Sequence, residues 1–228
     1  MCGFAGYFKG INYGDELLHK MGNALLHRGP DDSGVWFDKS EQIGFAHQRL
    51  AVIDCSPAGK QPMESSSERY VLVFNGEIYN HLKLRLKLNN KNFIGHSDTE
   101  TLLALIEEFG LEQSLKSAEG MFALALWDRR KKELYLARDR IGEKPLYYGW
   151  QGEGSGASFL FGSELKSIKQ HPSFVPEINR DAIALLLRHN YIPAPYSIYQ
   201  GVSKLEPGCM LKISHEIPKP KIYAYWSA

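Results

Sequence analysis

The chain has 228 residues, 43% hydrophobic and 12% aromatic, which suits one sizeable globular domain or two small ones with a buried core. Lys and Arg number 27 against 26 Asp and Glu, a formal net charge of +1, so no basic excess points to nucleic acid and no basic cluster to a membrane surface. No apolar run approaches the roughly 20 residues of a spanning helix, and Lys9 interrupts any signal-peptide core. Three cysteines, Cys2, Cys55 and Cys209, at unrelated spacings argue for a reducing, cytoplasmic setting and against a disulfide framework or a zinc site.

In chain order, GFAGYF (3–8) reads as a short buried strand. Residues 15–27 carry Leu17, Leu18, Met21, Leu25 and Leu26 near one helical face, and RGPDDSG then breaks the pattern. IGFAHQRLAVID (43–54) and RYVLVFN (69–75) are strand-like, with a Pro/Ser/Gly loop between them. HLKLRLKL (81–88) alternates like a strand but is built from helix formers. SDTETLLALIEEFG (97–110) predicts a helix with a capping box from Ser97 to Glu100 and Gly110 at its end. MFALALWD and KELYLARD form one expected hairpin; LYYGW and SFLFGS form a second across QGEGSGA. A helix is expected near 180–189, then a last strand and a linker. Hairpins outnumber strand-helix-strand alternations, which favours an α+β layered domain over a doubly wound sheet. No Gly-rich phosphate loop is present.

The chemistry begins at MCGFAGYF. Removal of Met1 would leave Cys2 with a thiol and a free α-amine whose unperturbed pKa is about 7.7–8.0, so one residue would supply nucleophile and base. Gly3 is expected to leave room for a substrate beside the new terminus. In NGEIYN, Asn-Gly is a strong hairpin signal, but the Asn75 side-chain amide and the Gly76 N–H could equally converge as an oxyanion hole. Glu77 beside them suits a substrate ammonium. Asp98 sits in a helix first turn, where the dipole alone explains it, or it binds a cation. Arg49, in an apolar strand, calls for an anionic partner: a structural ion pair, or a carboxylate ligand held in a planar fork. Taken together these groups describe an α-amino acid whose side chain ends in an acyl group near a thiol; glutamine fits.

MCGFAGYF, HRGPDDSG, HQRLAVID, FNGEIYN, SDTE, GMFALALWD and ARDRIGEKPLYY, in this order and spacing, resemble the N-terminal glutaminase domain of glutamine-hydrolysing asparagine synthetases, a class II amidotransferase. The resemblance covers residues 2–215, with 216–228 read as the start of a linker. It implies a four-layer αββα sandwich of two antiparallel sheets, of the N-terminal-nucleophile hydrolase type. It implies Cys2 as nucleophile, Asn75 and Gly76 as oxyanion hole, and Arg49 with Leu50, Ala51, Val52 and Ile53 as the stretch holding the carboxylate end of glutamine. Glu77 and Asp98 match residues around the substrate α-amine. No metal or organic cofactor is expected for this half-reaction. The family's Ser-Gly-Gly-x-Asp-Ser loop, which binds ATP pyrophosphate, is missing from these residues. ATP, Mg²⁺ and the aspartate acceptor are therefore expected in a C-terminal synthetase domain beyond this sequence. Three alternatives stay open: another acceptor such as a surface-polysaccharide sugar acid, another class II amidotransferase, and a non-catalytic glutamine-binding or docking module. Oligomeric state, a homodimer included, is left open.

Overall fold

A computed structural model describes residues 2–10, 13–89 and 92–227. Two six-stranded antiparallel sheets organise it. In the first, the strand order is β10 (Ser203–Lys204), β8 (Tyr147–Gln151), β9 (Ser158–Gly162), β1 (Gly3–Phe8), β3 (Ile43–Arg49), β2 (Asp32–Asp38). In the second it is β12 (Lys221–Ala224), β11 (Cys209–Ser214), β7 (Glu133–Arg138), β6 (Gly120–Asp128), β5 (Tyr70–Ile78), β4 (Met63–Glu64).

Period-two alternation divides the apolar residues into three layers. Phe4, Phe8, Ile43 and Phe45 of the first sheet meet Val71, Val73, Ala125 and Trp127 of the second in an apolar inter-sheet core. The intervening residues face outward. Ala5, Tyr7 and Ala46 pack under α1 (Gly14–Asn23) and α5 (Leu165–Ile168). Leu72, Phe74, Leu124 and Leu126 pack under α2 (His81–Arg85), α3 (Asp98–Phe109) and α4 (Leu111–Ser117). The architecture is the αββα sandwich expected, with α6 (Arg180–His189) on the outside, only its Ala182 buried.

Both predicted hairpins form, β6–β7 and β8–β9. Several local readings differ. The 43–54 segment is a strand only to Arg49, because Leu50 leaves the ladder to bond with Cys2. The ambiguous 81–88 segment is helical over His81–Arg85. The linker expected at 216–228 contains β12, which pairs with β11 and is followed by the buried Tyr225. Asn75-Gly76 makes no turn: β5 runs through it, paired with β6 as far as Ile78 opposite Gly120. The capping box is half formed. Ser97 Oγ accepts from the Glu100 N–H at 3.1 Å, but the Glu100 carboxylate accepts from Ile94 and Gly95 and pairs with Arg85.

Candidate active site

The inter-sheet layer turns polar at one end. On β3 the inward series Ile43, Phe45 continues to His47 and Arg49; on β5 the series Val71, Val73 continues to Asn75 and Glu77; just before β1, Cys2 precedes Phe4 by two. One alternation thus builds the core and then delivers the polar groups. There a cavity of about 200 Å³ opens, lined by Cys2, Arg49, Leu50, Asn75, Gly76 and Asp98 among others.

Cys2 Sγ lies 3.3 Å from the Leu50 N–H, which donates to it, and 3.5 Å from the Leu50 carbonyl, which it can reach as donor. Burial pushes the thiol above its ordinary value; the Leu50 N–H and the Arg49 charge oppose that. The Cys2 carbonyl accepts from Arg28 Nε at 2.8 Å, and Arg28 Nη1 pairs with Glu164 at 2.7 Å. The space beside Gly3 is not left for substrate. The Arg28 chain fills it, its Cδ standing 2.8 Å from where a Cβ would project. Burial disfavours the Glu164 charge, yet Arg28, His27 and Lys166 together hold its carboxyl at about 2. Arg28 belongs to the HRGPDDSG motif, but nothing in its spacing announces a clamp on residue 2. Removal of Met1 concerns a residue outside those described.

Arg49 does not form the structural ion pair that was one of its two readings. Its Nη1 donates to the Ser56 carbonyl at 3.0 Å and its Nη2 to the Asp54 carbonyl, and among the described residues it has no ion pair. The guanidinium thus orders the loop 50–59 while lining the cavity. Leu50, Val52 and Ile53 of that loop also line it, with Val52 and Ile53 exposed. Ala51 does not; its N–H donates to Asp31. Asp54, missed in the sequence, lines the cavity too. The Ser56 side chain and the His96 and Ser56 N–H groups hold its carboxyl at about 2.

On β5, the Tyr79 N–H donates to Glu119, which sets the phase of the ladder: odd residues exchange bonds with β6 and even ones face away. The Phe74 N–H is taken by Gln61 Oε1 at 2.6 Å and the Ile78 N–H by Asp98 Oδ2 at 2.8 Å. Between them the Gly76 N–H faces the cavity side. Asn75 Nδ2 is buried and has no hydrogen-bond partner among the described residues, a cost ordinarily avoided. Gly76 is demanded by packing. A Cβ there would strike the Met121 carbonyl and come within 2.6 Å of Phe122 Cα. Burial pushes the Asp98 carboxyl up, opposed by the Ile78 N–H, by His81 and by the Thr99 N–H. Glu77 and Asp98 share the cavity wall with Gln61 and Lys144, neither of which the sequence reading selected.

Two facing antiparallel sheets with helices outside, and a cavity at the mouth of the inter-sheet layer holding residue 2, define an N-terminal-nucleophile hydrolase fold. The model of the glutamine amidotransferase domain matches residues 1–226, and the chain belongs to that family, of class II. It is 37% identical over 248 residues to putative asparagine synthetase [glutamine-hydrolyzing] 2 of Methanocaldococcus jannaschii, covering 99% of this chain and 46% of that protein. It is 36% identical to asparagine synthetase [glutamine-hydrolyzing] 1 of Bacillus subtilis, covering 93% of this chain and 33% of that protein. The chain therefore spans less than half the length of these relatives. Among solved structures, glutamine phosphoribosylpyrophosphate amidotransferase from B. subtilis superposes over 100% of this chain and 50% of its own, with a TM-score of 0.70 at 20% identity, a likeness of fold. No helix among the described residues is long and apolar enough to cross a membrane.

Proposed function

We propose that this chain hydrolyses the side-chain amide of L-glutamine, with Cys2 as nucleophile. The observation that carries the reading is the Asn75 Nδ2 donor, buried without a partner on the wall of the cavity that Cys2 lines. Such a donor waits for charge that develops only during reaction.

With Met1 removed, the Cys2 α-amine takes the thiol proton and the sulfur attacks the amide carbon. The carbonyl oxygen becomes an oxyanion that accepts from Asn75 Nδ2 and the Gly76 N–H. The C–N bond breaks, the proton passes from the amine to the departing nitrogen, and ammonia leaves a glutamyl thioester. Water, deprotonated by the same amine, then cleaves the C–S bond to glutamate and restores the thiol. Arg49, with the loop 50–53 that it orders, receives the substrate carboxylate; Glu77 and Asp98 receive its ammonium. None of these steps calls for a metal or an organic cofactor.

In the longer protein the ammonia would amidate aspartate to asparagine, with ATP and Mg²⁺ handled by a C-terminal synthetase domain. The names and greater length of the relatives support this. A reducing, cytoplasmic setting accords with three unpaired cysteines among the described residues. The test is intact-mass spectrometry with a glutamine-analogue electrophile, alongside glutamate release from Cys2→Ala. We expect a mass lacking Met1, a single adduct on Cys2, and no turnover by a folded Cys2→Ala. Glutamate release that survives the substitution would remove the assignment.

A further inference from the structure

The reaction above gives no role to Asp54, in the loop AVIDCSPAGK (51–60), although it lines the cavity. Asp54 is 7% exposed, and each of its three oxygens is taken by a different donor. Oδ1 accepts from the Ser56 N–H at 2.8 Å, within the loop. Oδ2 accepts from the His96 N–H at 2.7 Å, across 42 positions. The carbonyl accepts from Arg49 Nη2, while Arg49 Nη1 donates to the Ser56 carbonyl at 3.0 Å. Two glycines leave room for these contacts. A Cβ on Gly59 would strike Arg49 Nη2, and one on Gly95 would stand 2.6 Å from Asp54 Oδ2.

The segment that owns the His96 N–H gives Asp54 its meaning. Residues 94–97 are fixed to the start of α3. The Glu100 carboxylate accepts from the Ile94 and Gly95 N–H groups at 2.7 and 3.0 Å, and Ser97 Oγ accepts from the Glu100 N–H. From α2, Arg85 donates to the Gly95 and Ser97 carbonyls at 3.0 and 2.9 Å and to Thr101 Oγ1 at 2.6 Å. The next residue, Asp98, is tied to β5 through the Ile78 N–H. The loop after Arg49, by contrast, has left the β3 ladder, and its Val52 and Ile53 are exposed. Asp54 joins that loop, and Arg49 with it, to the frame that carries Asp98.

We infer that Asp54 is a positioning residue for Arg49: its carboxylate pins the loop 50–59 to the segment before α3, and its carbonyl then fixes the guanidinium in a set relation to Asp98. The inference rests on the glutaminase reading, in which Arg49 and Asp98 receive the carboxylate and the ammonium of the amino acid. The acceptors that orient Arg49 are neutral carbonyls, so the cation is aimed without an anionic side chain bonded to it. A guanidinium held this way before substrate arrives need not be ordered at the moment of binding.

The experiment compares two reagents at Cys2. A diazoketone analogue of L-glutamine carries the α-carboxylate and the ammonium, and it alkylates the thiol with loss of dinitrogen. Iodoacetamide carries neither group and alkylates the thiol with loss of iodide. The ratio of their rate constants, read at Cys2 by peptide mass, reports recognition of the amino-acid end separately from the reactivity of the sulfur. Asp54→Ala is expected to lower that ratio about tenfold and to raise KM for glutamine by a similar factor, with kcat within about threefold, the scale of losing hydrogen bonds to a charged group. In an Arg49→Lys background no guanidinium spans the two carbonyls, and there Asp54→Ala is expected to change the ratio by less than about twofold. Should Asp54→Ala not fold, Asp54→Asn, which keeps one acceptor oxygen of the two, is expected to lower the ratio about threefold. An unchanged ratio in a folded variant overturns the inference. So does a loss carried by kcat alone, or an undiminished drop in the Arg49→Lys background. Failure of the underlying reading looks different: the wild-type chain then shows no preference for the analogue over iodoacetamide and releases no glutamate.

Discussion

Asn75 and Gly76 illustrate how one dipeptide can serve two masters. As extended residues they continue β5, and the Asn75 side-chain amide is left without a partner among the described residues on the wall of the cavity that Cys2 lines. Asn75→Ala should lower kcat by about 10²–10³-fold with a smaller change in KM, because the bond it removes matters most once the oxyanion forms. Steady-state kinetics separate the two parameters; a loss confined to KM would count against the role. The surroundings of Cys2 fix its position rather than make its thiol more acidic. Burial raises its pKa, and the Arg28–Glu164 pair holds its peptide in place while the Leu50 N–H meets its sulfur.

At the scale of elements, His47 ties the two sheets together. It sits on β3, and its Nε2 lies 3.1 Å from the Phe74 carbonyl on β5, one residue before Asn75. Burial lowers its pKa to about 4, with the Phe74 contact working the other way. The native state therefore keeps this imidazole neutral, while the unfolded chain binds a proton below about 6.5. Between those values the unfolded state holds more protons, so stability is full above pH 6.5 and falls as pH drops towards 4. The total loss from this residue is about 3 kcal/mol. Urea melts from pH 7 to pH 4 should show this slope, and His47→Gln should flatten it while lowering stability at pH 7. A wild-type midpoint independent of pH across that window would contradict the burial of a neutral imidazole.

For the whole molecule, the inter-sheet core is both stabiliser and ruler. Cys2 hangs from one sheet and Asn75 from the other, so their separation is set by the side chains that space the sheets. Trp127, fully buried between Phe8 and the surrounding apolar residues, is the largest of these. Trp127→Ala should cost about 3–5 kcal/mol. Its effect on glutaminase activity should also exceed that of an equally destabilising change in the outer layer under α3, such as Leu102→Ala, when both are assayed well below their melting transitions. Equal activity in the two would mean that the spacing of the sheets does not govern the site.

Much of this was written locally. The strands with clean alternation, the two hairpins across polar turns and the Ser97-capped helix follow from periods and caps that a short window contains. That Cys2, Arg49, Asn75, Gly76, Glu77 and Asp98 would come together was also legible, because they are residue types ill suited to plain strands and turns, and all six line one cavity. What the chain alone left undetermined depends on partners distant in sequence. Asn-Gly reads as a turn until β6 supplies nine paired residues to keep β5 straight. Arg49 reads as half of an ion pair until the loop carbonyls of Asp54 and Ser56 claim it. Arg28 reaches Cys2 across 26 positions, Glu164 reaches Arg28 across 136, and the loop bearing Lys144 is anchored on β6. Sequence sets a residue's chemistry and its local period. Which buried donor meets which acceptor is decided only when strands remote in the chain come into register, since only there does leaving a polar group unpaired carry its full desolvation cost.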